Sequence, residues 1–234
     1  MRADLLRALN AERRARRGCL VLTDLATGSQ RLVREGDAET QGEAVQRALR
    51  AGRSGILEGT KTFLNVYLPP PRIVVVGAVH ISQALAPMAS IAGFDISIID
   101  PRTAFATPER FPGVPLHAKW PEDALKERPL DAYTALVAVT HDPKIDDHPL
   151  IEALEVGCFY VGALGSRKTH VRRIERLLSA GVPQHRIGRI EAPVGVDIGA
   201  STPAEIAVAV LASVIAAFRG RKMHAERWGE AGGA

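Results

Sequence analysis

Ile73-Val74-Val75-Val76-Gly77-Ala78-Val79-His80-Ile81-Ser82 decides the fold: an apolar run ends in glycine and opens a segment with helical spacing. A strand apolar on both faces belongs inside a parallel sheet covered by helices on either side. The reading is a strand over Ile73–Val76, a tight turn at Gly77 and a helix from about His80 to Ala92, which Pro87 should kink rather than abolish. A dinucleotide turn would read G-x-G-x-x-G, and here Gly77 holds the first place while Val79 and Ser82 hold the other two. Glycine at the second place lets the backbone approach a pyrophosphate, an approach that a β-branched side chain blocks. Gly77 still permits the turn, and a helix N-terminus still offers free N–H groups. Ligand contact and a purely structural strand-to-helix turn both remain open for this segment.

Downstream, the same alternation continues. Strands are expected at Ile96–Ile99, Ala135–Thr140 and Phe159–Val161, and helices at Pro121–Glu127, Ile145–Val156, Arg167–Ala180 and Pro203–Phe218. Right-handed βαβ crossovers then give an α/β, doubly wound, parallel Rossmann-like sheet over residues 72–220, with 221–234 as a C-terminal tail. Thr202 to Glu205 fits a capping box with Pro203 at the first helical position. The helix that follows is apolar nearly all round, so it should bury more than one side, part of it in a homodimer contact. Upstream, Pro69-Pro70-Pro71 marks a domain boundary, because proline fixes φ and lacks a ladder donor. Residues 1–68 read as a small α+β domain. It has a helix from Asp4 to about Arg17 closed by Gly18, a hairpin of Cys19–Leu25 and Gln30–Arg34, a helix over Glu43–Ala51, and short strands at Ile56-Leu57 and Phe63–Leu68.

Composition narrows the function. With 46% apolar but only 5% aromatic residues in 234, the core must be mainly aliphatic, as in buried parallel sheets. The 30 Lys and Arg exceed the 26 Asp and Glu by four, and no basic stripe with interleaved aromatics appears, which argues against nucleic acid as a partner. Arg13, Arg14, Arg16 and Arg17 read as a solvated helix end. Cys19 and Cys158 lie far apart in apolar contexts and read as buried thiols of a reducing compartment, not a disulfide framework or a zinc site. No stretch reads as a membrane span, and Met1-Arg2-Ala3-Asp4 does not lead into a signal-peptide core, so a cytoplasmic protein is expected.

In open α/β sheets, ligands bind beyond the carboxyl ends of the strands. Besides the turn at Gly77 and His80, three segments occupy such places. Asp100-Pro101-Arg102 follows the second strand where an acidic residue would meet a ribose, or where Asp100 could cap a turn with Arg102 as its ion-pair partner. Thr140-His141-Asp142-Pro143 gathers a hydroxyl, an imidazole and a carboxylate at another strand end, for ligand contact or as a solvated loop. Gly162-Ala163-Leu164-Gly165-Ser166-Arg167-Lys168-Thr169 places glycines, hydroxyls and cations at a helix start. Gly165, Ser166, Arg167 and Lys168 there suit an anion, with capping by Ser166 and solvated cations as the plainer reading. No metal-ligand spacing and no nucleophile elbow is present.

These segments stand in one order with Gln83-Ala84-Leu85-Ala86-Pro87 and Asp197-Ile198-Gly199-Ala200, and over Arg72 to about Arg219 the chain resembles the XdhC/CoxI family, accessory proteins of xanthine dehydrogenase and related molybdenum hydroxylases. The resemblance implies a maturation factor without turnover of its own. Such a factor binds molybdenum cofactor (molybdopterin), keeps or delivers it in sulfurated form, and hands it to an apo-enzyme, with a cysteine desulfurase as a further partner. It also implies cofactor-facing loops at Gly77 and His80, Asp100 and Arg102, Thr140 to Asp142, and Gly165 to Lys168. Two departures stand out: family members usually carry glycine where this chain has Val79, and residues 1–68 hold only Cys19, outside any glycine-rich cysteine motif. A nicotinamide-dependent oxidoreductase using NAD(P), with His141 as its acid–base group, is the rival from another class, and a dinucleotide-binding regulatory protein is a third reading.

Overall fold

The computed structural model describes residues 2–230, and the chain divides into two compact units, Met1–Pro69 with Arg219–Ala234, and Pro70–Phe218. In the first unit, helix α1 (Ala3–Arg14) precedes an antiparallel sheet formed by β1 (Cys19–Asp24), β2 (Gln30–Arg34), β3 (Gly55–Ile56) and β4 (Thr62–Tyr67) in the order β2-β1-β4-β3. A 3₁₀ turn at Glu35–Gln41, which the sequence does not announce, leads into α2 (Glu43–Ala51). Strand alternation sends Leu20 and Leu22 toward Val45 and Leu49 of α2, and Cys19 and Val21 toward Leu9 of α1.

Helix α1 ends earlier than predicted. Arg16, not Gly18, takes the left-handed conformation, with φ 53°. The Arg17 N–H reaches Glu12 O and the Arg16 N–H reaches Arg13 O, which is a Schellman closure with arginine in the usual glycine place. The arginine cluster is also not wholly solvated, since Arg17 and Arg34 both donate to the buried Glu12 carboxylate at 2.6 and 2.8 Å.

The second unit is built on β5 (Arg72–Val76), β6 (Asp95–Ile99), β7 (Leu116–His117), β8 (Thr134–Ala138), β9 (Tyr160–Ala163) and β10 (Ile190–Glu191). Their order is β10-β9-β8-β5-β6-β7, and every pair is parallel. Numbered from β5, this is the 3-2-1-4-5-6 order of the Rossmann fold, with the switch point between β5 and β8. The central strands are buried on both faces because their residues alternate between two aliphatic layers. Ile73, Val75, Ala135 and Val137 pack in one layer with α3 (His80–Ile91) and α8 (Pro203–Glu230). Val74, Val76, Leu136 and Ala138 pack in the other with α4 (Pro121–Glu127), α5 (Pro143–Val156) and α6 (Arg167–Ser179). A short helix α7 (Gln184–Ile187) precedes β10. Pro87 lies inside an unbroken α3.

Helix α8 corrects two expectations. It runs on to Glu230, so residues 221–230 continue the helix where a tail is expected, while 231–234 lie outside the described residues. Its Pro203–Gly220 window is long and apolar enough to cross a membrane by length and composition, contrary to the reading that no stretch is. The composition has another source here, because Ala207, Val210 and Val214 are fully buried in the core of the sheet. Its apolar sides are thus unequal: one is core, while Val208 and Ile215 remain exposed. Thr202 and Glu205 do form the expected capping box, with Glu205 N–H donating to Thr202 Oγ1 at 3.2 Å and Thr202 N–H to Glu205 Oε2 at 3.0 Å.

Candidate functional site

The loops singled out in the sequence sit at the carboxyl ends of β5, β6, β8 and β9, around the switch point. Gly77 ends β5 with φ 123°, and a Cβ on it would lie 3.0 Å from side-chain carbons of Val139 and Thr140, so only glycine lets the two central strands stay this close as they diverge. Ser82, in the fingerprint's third place, is buried and donates its hydroxyl to Gly77 O, fastening the turn to α3. Val79 is half-buried and packs on the core, while His80 at the start of α3 is exposed.

Asp100 is a clamp for that turn. It is fully buried, and its carboxylate accepts from Ala78 N–H at 2.7 Å, from Arg102 N–H at 2.9 Å and from the Arg102 guanidinium at 2.9 and 2.7 Å. Burial alone would raise its pKa, but the Arg102 pair and the two N–H donors outweigh it and hold the carboxyl below its ordinary value. The turn-capping alternative therefore describes Asp100, and a ribose would have to compete for oxygens already engaged. Arg110, which the sequence reading missed, adds a second tie by donating to Ala78 O at 3.0 Å and Gln83 Oε1 at 2.9 Å.

At the end of β8, Thr140 is buried and donates to Asp146 Oδ1 at 2.7 Å, while Asp142 caps α5 by accepting from Lys144 N–H at 2.9 Å. His141 is exposed and holds φ at 65°, a left-handed conformation uncommon for a side-chain-bearing residue. At the end of β9, Gly165 takes φ 135° and Ser166 caps α6, accepting from Thr169 N–H at 3.2 Å. Among the described residues the N–H groups of Arg167 and Lys168 find no acceptor, and both side chains are exposed. Capping and an anion-ready helix start thus coexist, because Ser166 satisfies only one of the free donors.

The buried face of α6 does not follow its apolar residues. Of Val171, Ile174, Leu177 and Leu178, which stand at helical spacing, only Leu177 is buried, and Val171 and Leu178 are exposed. The inward face carries Arg173 instead, 2% exposed, whose Nη2 donates to Leu164 O at 2.8 Å. Opposite stands Asp146 on α5, also 2% exposed, its pKa pushed up to about 6 by burial against the pull of Thr140 and of the Arg173 charge. His170 is held below its ordinary pKa by burial and by Arg173, which keeps the imidazole neutral at neutral pH.

Two features lie elsewhere. A cavity of about 590 Å³ lined by Arg72, Phe94, Asp95, Val114 and Arg128 opens at the amino ends of β5 and β6, the edge opposite the loops. We place the site at the loops because the strand ends, free N–H groups and buried charges converge there. The cysteines are remote from catalysis by thiolate: burial pushes Cys19 up to about 11 and Cys158 to about 12, so both stay protonated. Among the described residues no cluster could hold a metal ion through protein ligands.

A sequence profile of the XdhC Rossmann domain matches residues 73–214. Escherichia coli "Uncharacterized protein YqeB" is 34% identical over 65% of this chain and 28% of its own length. A Bacillus subtilis protein described as a probable xanthine dehydrogenase subunit is 34% identical over 67% of this chain and 46% of its own length. "Molybdenum cofactor insertion chaperone PaoD" of E. coli is 30% identical over 63% of this chain and 40% of its own length. The chain therefore spans between 28% and 46% of these relatives. A crystal structure described as a xanthine dehydrogenase from Bacillus halodurans superposes with a TM-score of 0.62 over 93% of this chain and 64% of that one, at 24% identity, a likeness of fold. With the Rossmann strand order in place and the profile covering most of the second unit, the chain belongs to the XdhC family.

Proposed function

We propose that this protein is a molybdenum cofactor chaperone, binding the cofactor at the carboxyl edge of β5, β8 and β9 and passing it, in sulfurated form, to the apo-enzyme of a xanthine dehydrogenase-type hydroxylase in the cytoplasm. The observation that carries the reading is the start of α6, where unpaired N–H groups of Arg167 and Lys168 stand beside their own cations and suit the phosphate of the pterin. The name of PaoD supplies the cargo, and that of the B. subtilis relative the class of client. When bound, the cofactor carries the molybdenum centre that the client needs; this chain's residues only hold and orient it. Sulfur would come from a cysteine desulfurase acting on the bound cofactor, since neither buried thiol is placed to relay it. Protein purified from a host that makes the cofactor should contain molybdenum and pterin in matching amounts. Protein purified free of both from such a host would refute the proposal.

The proposed assembly is a homodimer through the exposed apolar side of α8. Val210 and Val214 are core residues and unsuited to testing it, whereas Val208 and Ile215 are exposed. Sedimentation should show a dimer at micromolar concentration that Val208→Lys with Ile215→Lys converts to a folded monomer. A parent that sediments as a monomer would eliminate this assembly.

A further inference from the structure

Buried polar atoms in folded proteins nearly always find partners, so a concentration of exceptions points to a purpose. Among the described residues, the buried side-chain atoms without a partner are Asp146 Oδ2, His170 Nδ1, and Arg173 Nε and Nη1. They come from three residues in one place, beneath the loops that end β8 and β9. Each charged member is anchored by one edge to a loop: Asp146 to Thr140, and Arg173 to Leu164. Asp146 Oδ2 and Arg173 Nε and Nη1 have no hydrogen-bond partner, although the Thr140 and His141 N–H groups act on the carboxylate and each charge acts on the other. Two charges so completely buried would be expected to pair directly if their role were only structural.

We infer that Asp146 and Arg173 form a recognition floor for a ring that donates from two adjacent nitrogens and accepts at a neighbouring carbonyl, the 2-amino-4-oxopyrimidine edge of a pterin. This rests on the proposal that the site takes molybdenum cofactor, and adds which end of it enters first. The free carboxylate oxygen of Asp146 accepts from the ring N–H and the 2-amino group, and an unpaired guanidinium nitrogen of Arg173, Nε or Nη1, donates to the 4-oxo group. Phosphate, at the other end of the same ligand, remains at the start of α6. Gly165 stands beside the floor: a Cβ built on it would come 3.8 Å from Arg173 Nη2, the nitrogen bonded to Leu164 O. Because Asp146 and Arg173 are buried, entry requires the turn at Leu164 to Ser166 to shift.

The test compares pterin with lumazine, the same ring with a carbonyl in place of the 2-amino group, by fluorescence titration of the full chain. A carbonyl set against the Asp146 carboxylate is repelled, so the parent should bind pterin at least roughly tenfold more tightly than lumazine. In Asp146→Asn, the amide oxygen stays with the Thr140 hydroxyl and the NH₂ faces the ligand, so the preference should vanish or invert. A merely structural role would weaken both ligands alike and leave their ratio unchanged. Equal binding of the two rings by the parent, a result that needs no variant, would overturn the inference, as would a folded Asp146→Asn that keeps the parent's preference. Titration with isolated molybdenum cofactor separates the two levels: cofactor binding without ring discrimination defeats this inference alone, and absence of cofactor binding defeats the chaperone reading.

Discussion

Asp146→Asn is expected to stabilise the folded chain by about 3 kcal/mol at pH 8, an unusual direction for a substitution at a buried position. The carboxyl moves from 3.8 to about 6 because burial disfavours its charge more than Thr140 and Arg173 favour it. The native state thus binds this proton more tightly than the unfolded chain does. Asp146 weighs nothing against the fold below about pH 3.8, costs progressively more as the pH rises toward 6, and carries its full penalty above that. Asparagine keeps an acceptor for the Thr140 hydroxyl and has no charge to desolvate. Urea denaturation at several pH values should therefore show parent and variant converging near pH 4 and separating by pH 7. A variant less stable than the parent at pH 8 would mean that the carboxylate is satisfied in the fold. Residues that lower stability in this way are commonly kept for function.

Gly195→Ala should act in the opposite direction, costing about 3 kcal/mol or more. Its φ is 91°, and a Cβ there would lie 2.8 Å from the backbone of Ala209 and Val210 in α8. The Val196 N–H also donates to Ala209 O at 3.2 Å, so this loop and α8 touch backbone to backbone. The helix cannot retreat without opening the layer in which Val210 and Val214 are fully buried. Gly113→Ala is the control: its φ of 73° is similarly unfavourable but open space surrounds it, so about 1 kcal/mol is expected there. Thermal unfolding measures both. Equal effects would show that α8 does not press on Gly195.

The fold was legible where one local signal and the global pattern agreed. Ile73–Val76 running into Gly77 could only be a central parallel strand, and Thr202 to Glu205 could only cap a helix. Strands of two residues at the sheet edges, β7 and β10, carry no periodicity and leave no mark in the sequence. The end of α1 is hidden because hydrogen bonds to Glu12 and Arg13, not glycine, close it. The candidate site was legible as loops but not as chemistry. Its buried charges sit inside helices, where Asp146 looks like an ordinary acidic residue of a first turn and Arg173 like one of a solvated basic run. A signal was available: counting back from Leu177 by four and seven gives Arg173 and His170, so the inward face of α6 is polar toward its N-terminus. Following apolar residues alone leads instead to Val171 and Leu178, which are exposed.

Cofactor binding as proposed depends on an anion held at the start of α6, and Arg167→Ala tests this most directly. The Arg167 side chain is exposed, so its removal should leave the fold intact. Losing a charge-assisted pair with phosphate should weaken binding of isolated molybdenum cofactor by about 1.5–3 kcal/mol, roughly ten- to more than a hundredfold, in an equilibrium titration beside the parent. A folded variant that binds the cofactor as tightly as the parent would contradict the account.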